Sequence, residues 1–577
     1  MAISKFQDPE IVNALSALDE IALPHPSGTL LTAFIEEALD PLRAAIYVSP
    51  RITTLEDAQS LLSDWIYIIQ CITDNSTPPE TPDAATRSAI ARRDGDRCCI
   101  TGKRGSLFDP LCVAPILPLP IGWTTARASV SDVLGAFFGP PYRDWWLWYM
   151  ENPQFTTLYE NHWLVRESAA RDFAEGHLRL ARRQPSMIEY QVVYVIEGTH
   201  PPLKLNGIFP LLGDHSRTGI EKVDPRFVGT HCRLATSIRF VDIAKRIAPE
   251  ILDQSGVQWK PPPAARRKGY FLPLLSSALS FVLPLSLLGG LLLATWRVVP
   301  GTVRLNTYRL LLRAGRAIYG RPPLDNSTVQ KLPFGLYLKY HGAVAGRRNE
   351  YAALRLVRQY TSIPVPHALD VVLTGPEETT DELSSSSPDA WLLVSRLPGV
   401  PLLHCQDALS DKDRRRIISQ LQDYVTQLRC IPNRVNKEYT ICNSRGGPVL
   451  DHRIQGATPL GPFADEAAFS DLLRFSDEPS RHGHDIVFTH ADLNPRNILV
   501  DEVTNSDGST SYDVTGIIDW ETAGYLPEYW EYTKALFEKF SYSERYQKLV
   551  HDVFSKFGDY SRELDVEVRS WESGDAV

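Results

Sequence analysis

None of the eight cysteines (Cys71, Cys98, Cys99, Cys112, Cys232, Cys405, Cys430 and Cys442) forms a CxxC pair, and their spacing builds no regular framework. That argues against a disulfide scaffold and for buried thiols in a reducing compartment. The first residues lack a basic-then-apolar pattern, so no cleaved signal peptide is expected. Tandem repeats are absent, and the one low-complexity stretch, Glu377 to Asp389 with Ser384–Ser387 inside it, reads as a surface loop. A formal charge of −9 argues against bulk nucleic-acid binding, although charge is unevenly distributed along the chain. What the chain does have is length: 577 residues exceed one core and call for two or three domains.

Two further absences coincide in the middle of the chain. From Gly269 to Trp296 there is no charged residue, and from Lys260 to Arg321 there is no Asp or Glu. The uncharged run exceeds the roughly 20 apolar residues that cross a bilayer. Its flanks are basic, with Arg266, Arg267 and Lys268 before it and Arg297, Arg304, Arg309 and Arg313 after it. That pattern predicts membrane contact through 269–296, with Arg304 to Tyr319 lying along the surface as a helix. Pro273, Pro284 and Gly289-Gly290 disfavour a straight span, so a re-entrant hairpin and a buried helical pair are the alternatives.

The densest chemical signal is C-terminal. His490-Ala491-Asp492-Leu493-Asn494-Pro495-Arg496-Asn497 precedes an apolar strand, and Ile517-Ile518-Asp519-Trp520 closes a second one. An Asp on a loop, an Asn five residues on and a second Asp after a strand give a proton acceptor and two magnesium ligands for phosphoryl transfer. Upstream, Val329 to Tyr340 reads as two short strands around a turn, with Lys339 ending the second. Asn349 to Val357 has helical spacing, with Glu350 in its first turn. A strand Lys paired with a helix Glu fixes a cation against nucleotide phosphates. Leu392 to Gly399 reads as the hinge strand. No glycine-rich loop is present, and the equivalent stretch offers only Gly335.

With these motifs in order, residues from about 300 to 560 resemble the aminoglycoside phosphotransferase/choline kinase-like family, in a branch common in filamentous fungi. Leu332-Pro333-Phe334-Gly335-Leu336-Tyr337 and Pro527-Glu528-Tyr529-Trp530-Glu531-Tyr532 are phrases typical of that branch. The resemblance implies a two-lobed protein-kinase-like fold that uses ATP and Mg2+ to phosphorylate a hydroxyl of a small-molecule acceptor. It implies Asp492 as base, Asn497 and Asp519 as metal ligands, and Lys339, Glu350, Ser395 and Leu397 as nucleotide-binding residues. It also places the acceptor near Trp520, Glu521, Tyr525 and Glu528 to Tyr532, with Pro527 at the first position of a helix. Those acidic and aromatic groups suit a cationic acceptor, while the alternative is an aromatic helix face packed on the core. A cytosolic ATP supply places this half in the cytoplasm. The competing function is an ATP-binding pseudoenzyme that scaffolds partners at a membrane.

The N-terminal half predicts helices over Ile11–Leu18, Leu30–Leu42 and Ala58–Ile72, then a Pro/Thr-rich linker over Thr77–Asp83. Ala91 to Gly102 resembles the opening of the HNH nuclease-like domains of many fungal proteins, and the similarity runs weakly to about residue 245. Such a nuclease needs His and Asn groups to activate water and hold a metal. Pro115 and Ala170 stand where the two His are expected. Asn161 is kept, and His162 and His177 lie off position. The resemblance therefore implies a degenerate scaffold without nuclease activity. The expected architecture is α+β and multidomain. It comprises a helical region (1–85), an HNH-like domain (86–250), a basic-flanked apolar segment (260–320), a kinase-like N-lobe (321–400) and a helical C-lobe with a polar tail (401–577).

Overall fold

Helix starts in the N-terminal unit are written by capping. Asp8 accepts the Glu10 N–H and Pro9 occupies the first turn of α1 (Pro9–Ile21). Asp40 and Pro41 do the same for α3 (Pro41–Val48), so the helix expected over 30–42 is two: α2 (Ser27–Glu36) ends before the new cap. The computed structural model describes residues 8–73, 82–107, 109–118, 129–151, 158–182, 190–195, 212, 215–217, 219–253, 295–296, 298–320, 328–373, 389–454, 459–505, 510–537 and 542–574. Apart from Thr295 and Trp296, the uncharged run 269–296 lies outside them. So do 77–81 of the expected linker and 377–388 of the expected surface loop. Among the described residues no helix is long and apolar enough to cross a membrane. The chain divides into two units, Met1–Pro262 and Pro263–Val577.

In the first unit, α2 and α4 (Leu55–Thr73) pack with α6 (Ser129–Phe138), α7 (Pro140–Glu151) and the long α9 (Pro225–Ile247) around Phe34, Trp65 and Phe137, while α5 (Ala84–Arg93) packs on the strands at 111–115 and 162–166. Two small antiparallel pairs lie among them. Strand β1 (Leu111–Pro115) pairs with β2 (His162–Arg166), and α8 (Glu167–Ala174) follows. Strand β3 (Leu178–Arg182) pairs with β4 (Tyr190–Tyr194).

The second unit opens with α10 (Gly301–Tyr319), which packs on β5 (Val329–Leu332) and β7 (Ala368–Leu373) of a four-stranded antiparallel sheet. Its order is β5-β6-β8-β7, with β6 at Leu336–Ala343 and β8 at Asp389–Ser395. Leu305, Tyr308 and Leu312 of α10 are buried with Leu338, Tyr340 and Trp391 of the sheet. Of the apolar residues of the helix expected to lie along a membrane surface, Tyr308 and Leu312 are thus buried in the lobe, Leu311 is partly buried and Ile318 stays exposed. Arg304 anchors the helix through Asp370 at 2.5 and 2.7 Å. A Cβ at Gly315 would collide with the Lys331 carbonyl, so the close approach requires glycine there.

Across the sheet from α10 runs α11 (Val344–Tyr360). It starts five residues earlier than the apolar spacing implied, so Glu350 stands in its second turn rather than its first. The larger lobe holds β9 (Val400–Pro401), α12 (Asp411–Arg429), β10 (Cys442–Asn443), β11 (Ile486–Thr489), α13 (Trp530–Phe537), α14 (Glu544–Phe554) and α15 (Ser561–Gly574). It also holds β12 (Ile498–Thr504) and β13 (Thr510–Ile517), which form an antiparallel ribbon. Pro527 ends strand β14 (Gly524–Pro527), paired with β11, and the helix begins three residues later. Pro tolerates a strand end as well as a helix start, and the backbone pairing decided.

Candidate active site

Alternation along β6 explains where Lys339 points. Leu338 and Tyr340 face α10, so Lys339 faces the opposite side, toward α11. The strand continues past it to Ala343, so Lys339 lies within β6 and not at its end. Its Nζ donates to Glu350 Oε1 at 2.6 Å and to Asp519 Oδ1 at 2.5 Å. Burial opposes the ammonium charge, but the two carboxylates outweigh it and hold Lys339 up at about 12. Burial likewise opposes the charge on Asp519, and Lys339 holds that carboxyl below its usual range.

Around this pair lie groups the sequence left unassigned or assigned elsewhere. Arg347 Nη1 donates to Glu521 Oε2 at 2.8 Å and lies 3.5 Å from Glu350 Oε2, which takes no hydrogen bond among the described residues. Glu350, Asp519 and Glu521 each bring a carboxylate oxygen within 4.8 Å of the others. Asn349 ties α11 to the same loop through the carbonyls of Glu521 and Ala523. The Asp-x-Glu spacing of Asp519 and Glu521 was the available signal. Glu521 faces Arg347 here.

Asp492 sits on the loop between β11 and β12. Asn497 donates through Nδ2 to the Asp492 carbonyl and to its Oδ2, both at 2.9 Å. Its Oδ1 meets no donor among the described residues and is the atom left for a metal. Burial pushes Asp492 up to about 6, against the pull of Lys534. The loop is held from two sides. Glu531 accepts the Ala491 N–H at Oε2 (2.8 Å) and the Leu493 N–H at Oε1 (3.0 Å), gripping both neighbours of Asp492. His490, pushed down by burial and therefore neutral, accepts the Asp492 N–H at Nδ1 and donates from Nε2 to the Ile518 carbonyl. Ile518 N–H in turn donates to the Asn497 carbonyl. Ala491 (φ 57°) and Asp519 (φ 70°) both take the left-handed region, which these bonds stabilise.

The aromatic run after Asp519 is core. Trp520, Tyr525, Tyr529 and Trp530 are fully buried, and Glu531 is spent on the loop. They pack the lobe, which was the alternative to an acceptor pocket. Ser395 ends β8, where its Oγ accepts the His367 N–H. Leu397 packs on Gly516 of β13, and among the described residues nothing takes its N–H.

Oxygen donors from one amide and several carboxylates, with two cations among them, suit a hard metal and a polyphosphate. No curated protein matches the chain. Similar solved structures include a thermostable mutant of aminoglycoside phosphotransferase APH(4)-Ia in complex with ADP and hygromycin B. It is 13% identical over 42% of this chain and 78% of that one, with a TM-score of 0.27. A GDP complex of a mutant aminoglycoside 2'-phosphotransferase-IIIa is 15% identical over 42% and 75%, with a TM-score of 0.28. The microcompartment-associated aminopropanol kinase is 13% identical over 44% and 91%, with a TM-score of 0.24. Residues 303–562 match the phosphotransferase enzyme family, APH, and form a domain of that family.

Proposed function

We propose that the C-terminal unit transfers the terminal phosphoryl group of ATP to a hydroxyl of a small molecule. The observation that carries this reading is the meeting of Lys339, Glu350 and Asp519, with Lys339 bonded to both carboxylates, in a unit where Asn497 holds Asp492 by two hydrogen bonds. Asp492 accepts the proton of the attacking hydroxyl as its oxygen bonds to phosphorus and the bond to the ADP oxygen breaks. Its raised proton affinity, up to about 6, suits a base working near neutral pH. Asn497 orients that carboxylate. Lys339, positioned by Glu350, offers charge to the phosphates, and Arg347 with Glu521 holds the wall of the site. Asn497 and Asp519 would hold Mg2+, which when bound would neutralise charge on the phosphates.

The N-terminal unit reads best as a scaffold without nuclease chemistry. Pro115 faces His162 across the β1–β2 pair and can neither ligate metal nor take a proton. Asn161 spends both ends of its amide on Leu117. His231 stacks on Phe173 and bonds its carbonyl, and burial pushes it down to about 3.

The test is magnesium-dependent ATP turnover by the full chain beside Asp492→Asn, with aminoalcohols, sugars and aminoglycosides as candidate acceptors. Turnover that depends on an acceptor and vanishes in the variant supports the transferase. ATP binding with no turnover on any acceptor favours the pseudoenzyme.

A further inference from the structure

Helix α10 has a second face that the lobe does not use. Its inner residues Leu305, Tyr308 and Leu312 are buried on the sheet. Val303, Leu310 and Ala317, spaced seven apart, line the opposite side. Val303 is 50% exposed, Leu310 63% and Ile318, near the C-terminal end, 62%. A helix packed on one side and solvated on the other carries polar residues outward, and this one carries Val303 and Leu310 out among its exposed Thr302, Asn306, Arg309 and Arg313.

The charges beside that stripe are of one sign. Arg304 and Arg316 serve the lobe, through Asp370 and through the Tyr340 ring and hydroxyl. Arg309 and Arg313 are exposed, and among the described residues neither meets an acid; Arg309 bonds only the neutral Asn306. The helix contains no Asp or Glu, and none occurs between Lys260 and Arg321. The chain that leads into the helix is the uncharged run ending at Trp296.

We propose that the outward face of α10 docks on an anionic lipid surface. Val303 and Leu310 enter the boundary between headgroups and acyl chains, and Arg309 and Arg313 meet the anionic headgroups. Charge complementarity and the lipid-compatible chain just before the helix select this occupant over a protein groove. The inference concerns attachment and is independent of phosphoryl transfer.

The experiment is flotation of the full chain with phosphatidylcholine vesicles, with and without phosphatidylserine, at low and high salt. Binding is expected only with phosphatidylserine and should weaken as salt screens the charges. Arg309→Gln with Arg313→Gln should lower partitioning roughly thirty-fold, from about 1 kcal/mol per arginine, and adding Leu310→Gln should lower it further. All three side chains are exposed, so circular dichroism and vesicle-free transfer activity should stay as in the wild type. Failure of the wild type to bind, or equal binding to neutral vesicles, overturns the proposal. Unchanged binding by the triple variant also overturns it, by assigning the contact to other parts of the chain. A wild type that self-associates without binding vesicles, and a triple variant that is monomeric, give the face to a second copy.

Discussion

Asn161 and Asn497 are equally buried, at 6% exposure each, and they end in opposite chemistry. Asn161 closes a ring with Leu117, donating to its carbonyl at 2.8 Å and accepting its N–H at 3.1 Å. Asn497 uses only its NH2 group, on Asp492, and keeps an oxygen in reserve. The contrast extends outward. In the N-terminal unit Arg93 bonds Asp94 and the carbonyls of Tyr159, His162 and Glu221, so its charge is spent on holding chain segments together. In the C-terminal unit the Glu350 and Asp519 carboxylates share one lysine. A polar group that has exhausted its bonding capacity supports a fold, and one with capacity left can act on something else.

Breaking that comparison at its strongest point means removing the proposed base. Asp492→Asn should lower turnover by about a thousand-fold while ATP binding, read by calorimetry, persists. Glu531→Gln keeps the size of the side chain but weakens its grip on Ala491 and Leu493. It should cost on the order of ten- to a hundred-fold in kcat with little change in the nucleotide KM, because the loop and not the nucleotide contacts is displaced. The other arm of the comparison is Asn161→Ala. It strands two buried backbone groups and should lower the stability of the N-terminal unit by about 1–3 kcal/mol in denaturant unfolding, with transfer unchanged. The smallest effect belongs to His484. Burial opposes its charge, but Glu466 and Glu563 push it from 6.5 up to about 9. A raised value means the stabilisation is complete below pH 6.5 and is lost as pH rises through 9. The melting-temperature gap between wild type and His484→Gln should close across that window.

What could be read in the sequence was what is local. Asp492, Asn497 and Asp519 lie on one short stretch, where spacing and strand character are both visible, and Lys339 was legible as a strand lysine just before the Glu350 helix. Helix α11 was placed late because Val344-Ala345-Gly346-Arg347-Arg348 carries no side-chain cap and no apolar stripe to mark its start. The role of α10 was hidden because its anchor, Asp370, lies far along the chain, and an apolar stripe looks the same whether a sheet or a lipid covers it. Pro527 and the aromatic residues after it were ambiguous for a similar reason. Burial in the lobe, and not residue type, separates a core from a pocket.

One arrangement carries further than the chemistry it supports. The Asp492 N–H, the His490 ring, the Ile518 carbonyl and N–H, and the Asn497 carbonyl form a closed circuit of hydrogen bonds between two loops. Asp492, Asn497 and the stretch leading into Asp519 are therefore tied to one another. Under the proposed function, changes in the surrounding walls would retune which molecule is accepted while the spacing of Asp492, Asn497 and Asp519 stays as it is. The same linkage makes the circuit intolerant: a replacement at His490 removes its bonds to the Asp492 N–H and the Ile518 carbonyl together, and so loosens both loops in a single stroke.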